Sequence, residues 1–156
     1  MKKTVDQNEK SHCLSEIEVT YKTKVKISEM HEIMSSKDAE KIFRDVWSEK
    51  IEMQEEVMIL LMNRKNKVLG WYRISSGGIS STLVDQRIVF SIALKTLASA
   101  IIVAHNHPSG NTSPSEADKS LTRVLKECGK LLDINVLDHL ILTQDSFYSF
   151  ADEGMM

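Results

Sequence analysis

The stretch that most constrains the fold is residues 100–118, AIIVAHNHPSGNTSPSEAD. A short apolar run, Ala100 to Ala104, leads into His105-Asn106-His107-Pro108. Ile101, Ile102 and Val103 read as the middle of a buried strand bounded by turn signals. If the strand continues through His107, both histidines point to one face, because strand side chains alternate. Pro108 has no N–H for a ladder and ends the pairing. Ser109, Gly110, Asn111 and Thr112 form a turn-rich loop. A helix is predicted next, with Ser113 as N-cap, Pro114 in the first helical position and Glu116 three residues after the cap. Ser115 and Asp118 share a face of its first turns. A strand end and a helix start therefore aim two imidazoles and one carboxylate at one point. That donor set suits zinc, and three protein ligands leave a coordination position for water. Such a metal lowers the water's pKa to about 7, and a nearby glutamate can take the proton.

The full spacing is H-x-H-x(7)-S-x(2)-D, met by His105, His107, Ser115 and Asp118. It resembles the JAMM (MPN+) metalloprotease motif. The fuller string HNHPSG, with PS-x-x-D behind it and Asp138-His139 further on, is similar to the RadC family within that group. The resemblance runs from about Met53 to the C-terminus. It implies that His105, His107 and Asp118 hold Zn2+ and that Ser115 helps hold the oxyanion or the water. It also implies an upstream glutamate at the start of a buried strand. Glu55 and Glu56 both precede Val57-Met-Ile-Leu-Leu-Met62; alignment with the RadC pattern favours Glu55 as the general base, with Glu56 on the other side. RadC relatives usually carry Arg-Glu where this chain has Arg87-Ile88, which leaves Glu55 as the motif glutamate. Asp138-His139 matches a family Asp-His pair, expected to support the metal ligands or to form a buried hydrogen-bonded pair rather than to ligate. The consecutive letters H-N-H are unrelated to the HNH nucleases, whose named residues are scattered over a longer motif.

The rest of the chain supplies the frame. Residues 1–14 are polar and read as a flexible tail, and residues 15–156 as a single domain. Residues 16–27 alternate, with Ile17, Val19, Tyr21, Thr23, Val25 and Ile27 on one face, and predict a half-buried strand whose lysines guard an edge. Residues 36–50 predict an amphipathic helix capped by Ser35 or Ser36, with Ala39, Ile42, Phe43, Val46 and Trp47 as its apolar stripe. Residues 53–62 and 67–74 predict a hairpin about Asn63 and Asn66. Residues 75–81 are Ser/Gly-rich without a phosphate-loop pattern, so they are a connection or, by resemblance, part of the active cleft. Asp85 caps a largely buried helix reaching about Ser99. The helix after the motif reaches about Cys128, with Gly129 as its stop and Ala117, Leu121, Val124, Leu125 and Cys128 inward. Residues 131–142 contain a further strand, and residues 147–150 a short last one. Strands and helices mix, which predicts an α/β fold: a mixed sheet flanked by helices, like the JAMM/MPN, cytidine-deaminase-like arrangement that the resemblance implies.

Composition narrows the function classes. Net charge is −2, so no overall field draws the chain to nucleic acid. No apolar run approaches the roughly 18 residues of a membrane span. Cys13 and Cys128 show no framework or zinc spacing and read as free thiols in a reducing cytoplasm; no apolar leader follows Lys2 and Lys3. The expected function is a zinc-dependent metallopeptidase-type hydrolase cutting a peptide or isopeptide bond in an unknown protein or peptide. The alternative is a DNA-repair-associated accessory or protein-binding module of the RadC family without turnover. The segment before residue 50 is too short for the helical DNA-binding-type region that RadC proteins usually carry. Oligomeric state is open.

Overall fold

Two strands, β1 (Glu56–Met62) and β3 (Ala100–Asn106), are buried along their whole length. Strands covered on both faces read as near-continuous apolar runs rather than alternating ones, which is how EVMILLM and AIIVAHN read. The computed structural model of the chain describes residues 17–77 and 84–156. In those residues a five-stranded sheet runs in the order β2-β1-β3-β4-β5, with β2 at Val68–Ser76, β4 at Asn135–Leu142 and β5 at Phe147–Ser149. β1 is antiparallel to β2 and β3, β3 is parallel to β4, and β4 is antiparallel to β5. Helix α1 (Ser36–Val46) covers one face; α2 (Gln86–Lys95) and α3 (Glu116–Leu132) cover the other. The fold is α/β with a mixed sheet between helices, as the sequence predicts, and is consistent with the JAMM/MPN-type arrangement that the resemblance implies.

Alternation in the buried strands sorts side chains between the two layers. Met58, Leu60, Met62, Ile102, Ala104, Leu140 and Leu142 pack with Ala39 and Phe43 of α1. Val57, Ile59, Leu61, Ile101 and Val103 pack with Val89, Phe90, Ala93 and Leu125. Trp47 joins the α1 layer half-buried, its ring edge-on to Phe43 with centroids 6.0 Å apart.

Several predicted boundaries move. Residues 17–27 form no strand: Ile17 and Val19 are exposed, and a 3-10 turn occupies Ile27–Glu29. The pairing against β2 is instead made by residues 31–33. Val68 donates to the His31 carbonyl, Ile33 donates to Asn66, and Glu32 bridges Lys67. Alternation supplies an apolar face, but a strand also needs a ladder partner, and the segment meets β2 by one bond from the Tyr21 hydroxyl to the Leu69 carbonyl. α1 stops at Val46 rather than at residue 50, because Trp47 turns extended. α2 stops at Lys95: the Thr96 hydroxyl folds back on the Ile92 and Ala93 carbonyls, and Leu97 takes a φ of 54°. It is also less buried than predicted, with Ile88 and Leu94 exposed.

The cap of α3 is Ser115, not Ser113. Ser115 accepts from the Asp118 N–H while Asp118 accepts from the Ser115 N–H, a closed capping box. Ser113 donates its N–H to the Asn111 side chain in the preceding turn. Gly129 does not stop the helix either. α3 continues to Leu132 and ends on Asp133 in the left-handed region. Gly129 is needed for close approach, since a Cβ there would lie 2.3 Å from the Ile134 carbonyl oxygen. Ala117 is exposed, Leu125 is buried, and Cys128 is a half-buried free thiol. Cys13 and most of the Ser/Gly stretch, residues 78–81, lie outside the described residues.

Candidate metal centre

The order of residues at the end of β3 decides what faces the site. Ile101, Val103 and His105 share the α2/α3 face, while Ile102, Ala104 and Asn106 face α1. The strand ends at Asn106, yet the His107 N–H still donates to the Leu142 carbonyl at 2.9 Å. His107 thus keeps the alternation and lies beside His105, with ring centroids 4.8 Å apart. The chain then turns through Gly110, whose φ of 80° suits glycine. The turn returns the Asn111 carbonyl to within 2.7 Å of His107 Nδ1. The capping box of α3 follows and fixes Asp118 across from both rings.

Three side chains converge. His105 Nε2 lies 3.0 Å from His107 Nε2 and 3.2 Å from Asp118 Oδ1; His107 Nε2 lies 3.6 Å from Asp118 Oδ2. Among the described residues, His105, His107 and Asp118 form a group that could hold a metal ion. Ligands about 2.0–2.1 Å from a tetrahedral zinc lie roughly 3.3 Å from one another, close to the 3.0 and 3.2 Å that separate His105 Nε2 from His107 Nε2 and from Asp118 Oδ1. The proton positions also fit. A carbonyl oxygen only accepts, so His107 Nδ1 carries the hydrogen that bonds Asn111, and a neutral His107 presents a bare Nε2 to the centre. Asp118 Oδ2 accepts from both the N–H and the hydroxyl of Ser115, each at 2.7 Å, leaving Oδ1 turned to His105.

The electrostatics suit a cation. Burial drives the Asp118 carboxyl upward, but the imidazoles of His105 and His107 beside it and the hydroxyl of Ser115 outweigh it and hold Asp118 well below the usual carboxylate range. The bond to Asp118 raises His107 above the usual imidazole range, against the pull of burial. A proton and a metal ion therefore compete for the same atoms.

Glu55 and Glu56 point to different sides of the sheet. Glu55 lines an open cleft of about 930 Å³ together with His105, His107, Ser115 and Asp118. Its charge adds to the rise at His107, and its carbonyl accepts from the Gly77 N–H. Glu56 turns to the opposite side, accepting from the Ser48 hydroxyl at 2.6 Å and lying 3.4 Å from Arg73. The Asp138-His139 pair divides in two. Asp138 accepts from the His139 and Ala151 N–H groups and from the Ser149 hydroxyl, tying β4 to the chain after β5. His139 turns to the site, its Nε2 2.8 Å from His105 Nδ1. Burial, then the neighbouring His105, hold His139 well below the usual imidazole range.

Two residues escaped the sequence reading. Asn106 sits between the ligands but projects the other way, accepting from the Glu56 N–H and donating to the Ile51 and Gln54 carbonyls. It pins the segment that presents Glu55. Thr122 donates to the Asp118 carbonyl at 2.8 Å and meets His139 Nδ1 at 2.7 Å. Strand parity is the signal for Asn106, and the i+4 spacing from Asp118 is the signal for Thr122.

A family described as "RadC-like JAB domain" matches residues 33–155. The chain is 44% identical over 129 residues to a UPF0758 protein of Flavobacterium johnsoniae, a match covering 83% of this chain and 56% of that one. It is 39% identical over 132 residues to a UPF0758 protein of Clostridium perfringens, covering 84% and 58%. It is 46% identical over 103 residues to the UPF0758 protein YfjY of Escherichia coli, covering 66% and 64%. The chain thus spans little more than half the length of the first two relatives. Among the described residues no helix is long and apolar enough to cross a membrane.

Proposed function

The chain belongs to the RadC-like JAB domain family, and on that premise we propose that it is a zinc-dependent hydrolase of the metallopeptidase type. Its substrate is an amide bond, peptide or isopeptide, in a protein or peptide chain. The observation that carries this reading is the convergence of His105, His107 and Asp118 at the wall of an open cleft that Glu55 also lines.

His105, His107 and Asp118 hold the metal. When bound, it supplies Lewis acidity, lowering the pKa of water and polarising the scissile carbonyl. Glu55 accepts the proton of the attacking water and returns it to the leaving nitrogen. Ser115 has two tasks in this reading. Its hydroxyl hydrogen holds Asp118 Oδ2 in the resting site, and its place in the cleft suits it to help hold the developing oxyanion.

Metal content tests the centre. Protein purified without a histidine tag is expected to carry about one zinc per chain, as a single three-ligand site requires, and His107→Ala and Asp118→Ala are expected to lose it. Glu55→Gln should keep the metal and lose turnover on peptide and isopeptide substrates. Absence of metal from the wild type, even after zinc is restored, would overturn the hydrolase reading and leave a binding module as the better account.

A further inference from the structure

A metal-ligating histidine ordinarily donates its second ring N–H to a carboxylate, a backbone carbonyl or water. His105 does not. Its Nδ1 meets the Nε2 of another imidazole, His139, at 2.8 Å, and His139 Nδ1 meets the Thr122 hydroxyl at 2.7 Å. Thr122 in turn donates to the backbone carbonyl of Asp118, the third metal-site residue, at 2.8 Å. The series starts at one ligand on β3, crosses β4, and closes on another ligand in α3.

We infer that Thr122 and His139 are positioning residues that fix the tautomer of His105, holding its proton on Nδ1 so that Nε2 faces the metal site bare. The inference rests on the metal centre of the proposed function but not on turnover. The order of protons follows from the acceptors. The Asp118 carbonyl can only accept, so it takes the single hydroxyl hydrogen of Thr122. Thr122 Oγ then accepts, and the hydrogen between it and His139 belongs to Nδ1 of His139. A second hydrogen on His139 would make a fully buried cation, stacked on Phe150 at 4.9 Å and 2.8 Å from a second imidazole, which is costly. His139 Nε2 is therefore an acceptor, and the hydrogen between the rings belongs to His105 Nδ1.

The backbone is built for this arrangement. Between β3 and β4 the register runs Ile101 to Val136, then slips by one, so that Ile102 pairs with Asp138 and Val103 with His139. Val136 packs in the α2/α3 layer and Leu137 against the α1 layer. Strict alternation from Leu137 would place His139 on the α1 face. The extra residue reverses the parity and delivers His139 to the face of His105, as bulges beside functional sites do. Stacking on Phe150, with the planes 11° apart, sets the angle of the ring.

Long-range nitrogen–proton NMR correlations on the full metal-free chain, at about pH 8 where free imidazole is neutral, read the tautomers directly. The expected result is a proton on Nδ1 of both His105 and His139. Thr122→Val removes the acceptor for His139 Nδ1 and should move His105 toward the Nε2–H form. The same variant should weaken zinc binding, measured by chelator competition, by about 10- to 100-fold. Thr122→Ser, which keeps the hydroxyl, should restore both readouts. A wild-type His105 carrying its proton on Nε2 would overturn the inference, as would a folded Thr122→Val protein with unchanged tautomers and zinc affinity. If the wild type binds no zinc, the proposed function fails, and the metal-free spectra still decide this inference.

Discussion

Replacing Asn106 by aspartate exchanges one buried NH2 for an oxygen and leaves size and shape alone. Asn106 is fully buried. Its Nδ2 lies 2.6 Å from the Ile51 carbonyl and 2.9 Å from the Gln54 carbonyl, and its Oδ1 lies 2.7 Å from the Glu56 N. In N106D the bond from Glu56 survives. The two carbonyls lose their donor and face a second oxygen at hydrogen-bond distance. Two lost bonds at about 1 kcal/mol each, plus about 1 kcal/mol or more for each carbonyl left unsatisfied, give a loss of roughly 4 kcal/mol. For a chain of this size that is a fall in Tm of about 10 °C. By the same count N106A breaks all three bonds and strands three groups, about 6 kcal/mol, and leaves a space besides, so its cost should be larger. The size of the aspartate loss is diagnostic, because a site that only fills space would hardly feel the isosteric acid. pH gives a second test. Burial against two carbonyls raises the pKa of the introduced carboxyl in the folded state. The neutral form can donate to one carbonyl, so N106D should recover stability as pH falls and lose it as pH rises through that raised value. Urea unfolding of wild type, N106A and N106D at acidic and neutral pH measures all of this. A loss below about 1 kcal/mol for N106D at neutral pH would refute the account, since one broken buried bond already costs that much.

Gly129→Ala should destabilise the chain, although alanine in a helix interior ordinarily gains about 1 kcal/mol over glycine. The new Cβ would stand 2.3 Å from the Ile134 carbonyl oxygen and 3.1 Å from Val136 Cγ2. The first of these is backbone, so overpacking of about 1–3 kcal/mol should prevail; thermal denaturation showing a rise in Tm would contradict it. Asp138 is raised above the ordinary carboxylate value, chiefly by burial, with the bonds from Ser149, Ala151 and His139 opposing. A raised folded-state pKa means that its contribution is fully present below the unfolded value, near 3.9, and is lost as pH rises through the folded value. Asp138→Asn should therefore gain stability relative to wild type across that rise, and chemical denaturation at several pH values showing the reverse would sink the reading.

The convergence of His105, His107 and Asp118 was legible in the sequence because these side chains sit in local patterns of fixed geometry. Period-two alternation places His105 and His107 together, and three-residue spacing on a first helical turn ties Ser115 to Asp118. The central strands were legible because burial on both faces leaves continuous apolar runs. Non-local facts were not legible. Residues 17–27 alternate as a strand should, yet whether a ladder partner lies alongside is decided elsewhere in the chain. Gly129 looked like a helix stop because glycine favours such positions. Its actual reason, the approach of the Ile134 carbonyl, exists only once α3 has turned back into β4. The pairing of His139 with His105 was hidden for the same reason. It depends on a one-residue slip in register, and no residue between Val136 and His139 announces it.

Two networks hold the centre, and they share no hydrogen-bond partner. On the α1 side of the sheet, Asn106 ties the end of β3 to residues 51–56 and so to the segment carrying Glu55. On the α2/α3 side, His139 and Thr122 tie His105 to the backbone of Asp118. One network serves the proposed proton acceptor and the other serves the ligands. Their effects should therefore separate. N106A should lower turnover while leaving zinc affinity near wild type, and Thr122→Val should lower zinc affinity. In the double variant the loss of zinc-binding free energy should equal the sum of the single losses to within about 0.5 kcal/mol, the tolerance of independent sites. Chelator competition on the four proteins closes the cycle. A coupling above about 1 kcal/mol would show that the tripeptide His105-Asn106-His107 transmits strain between its two faces, and the division into two supports would fail.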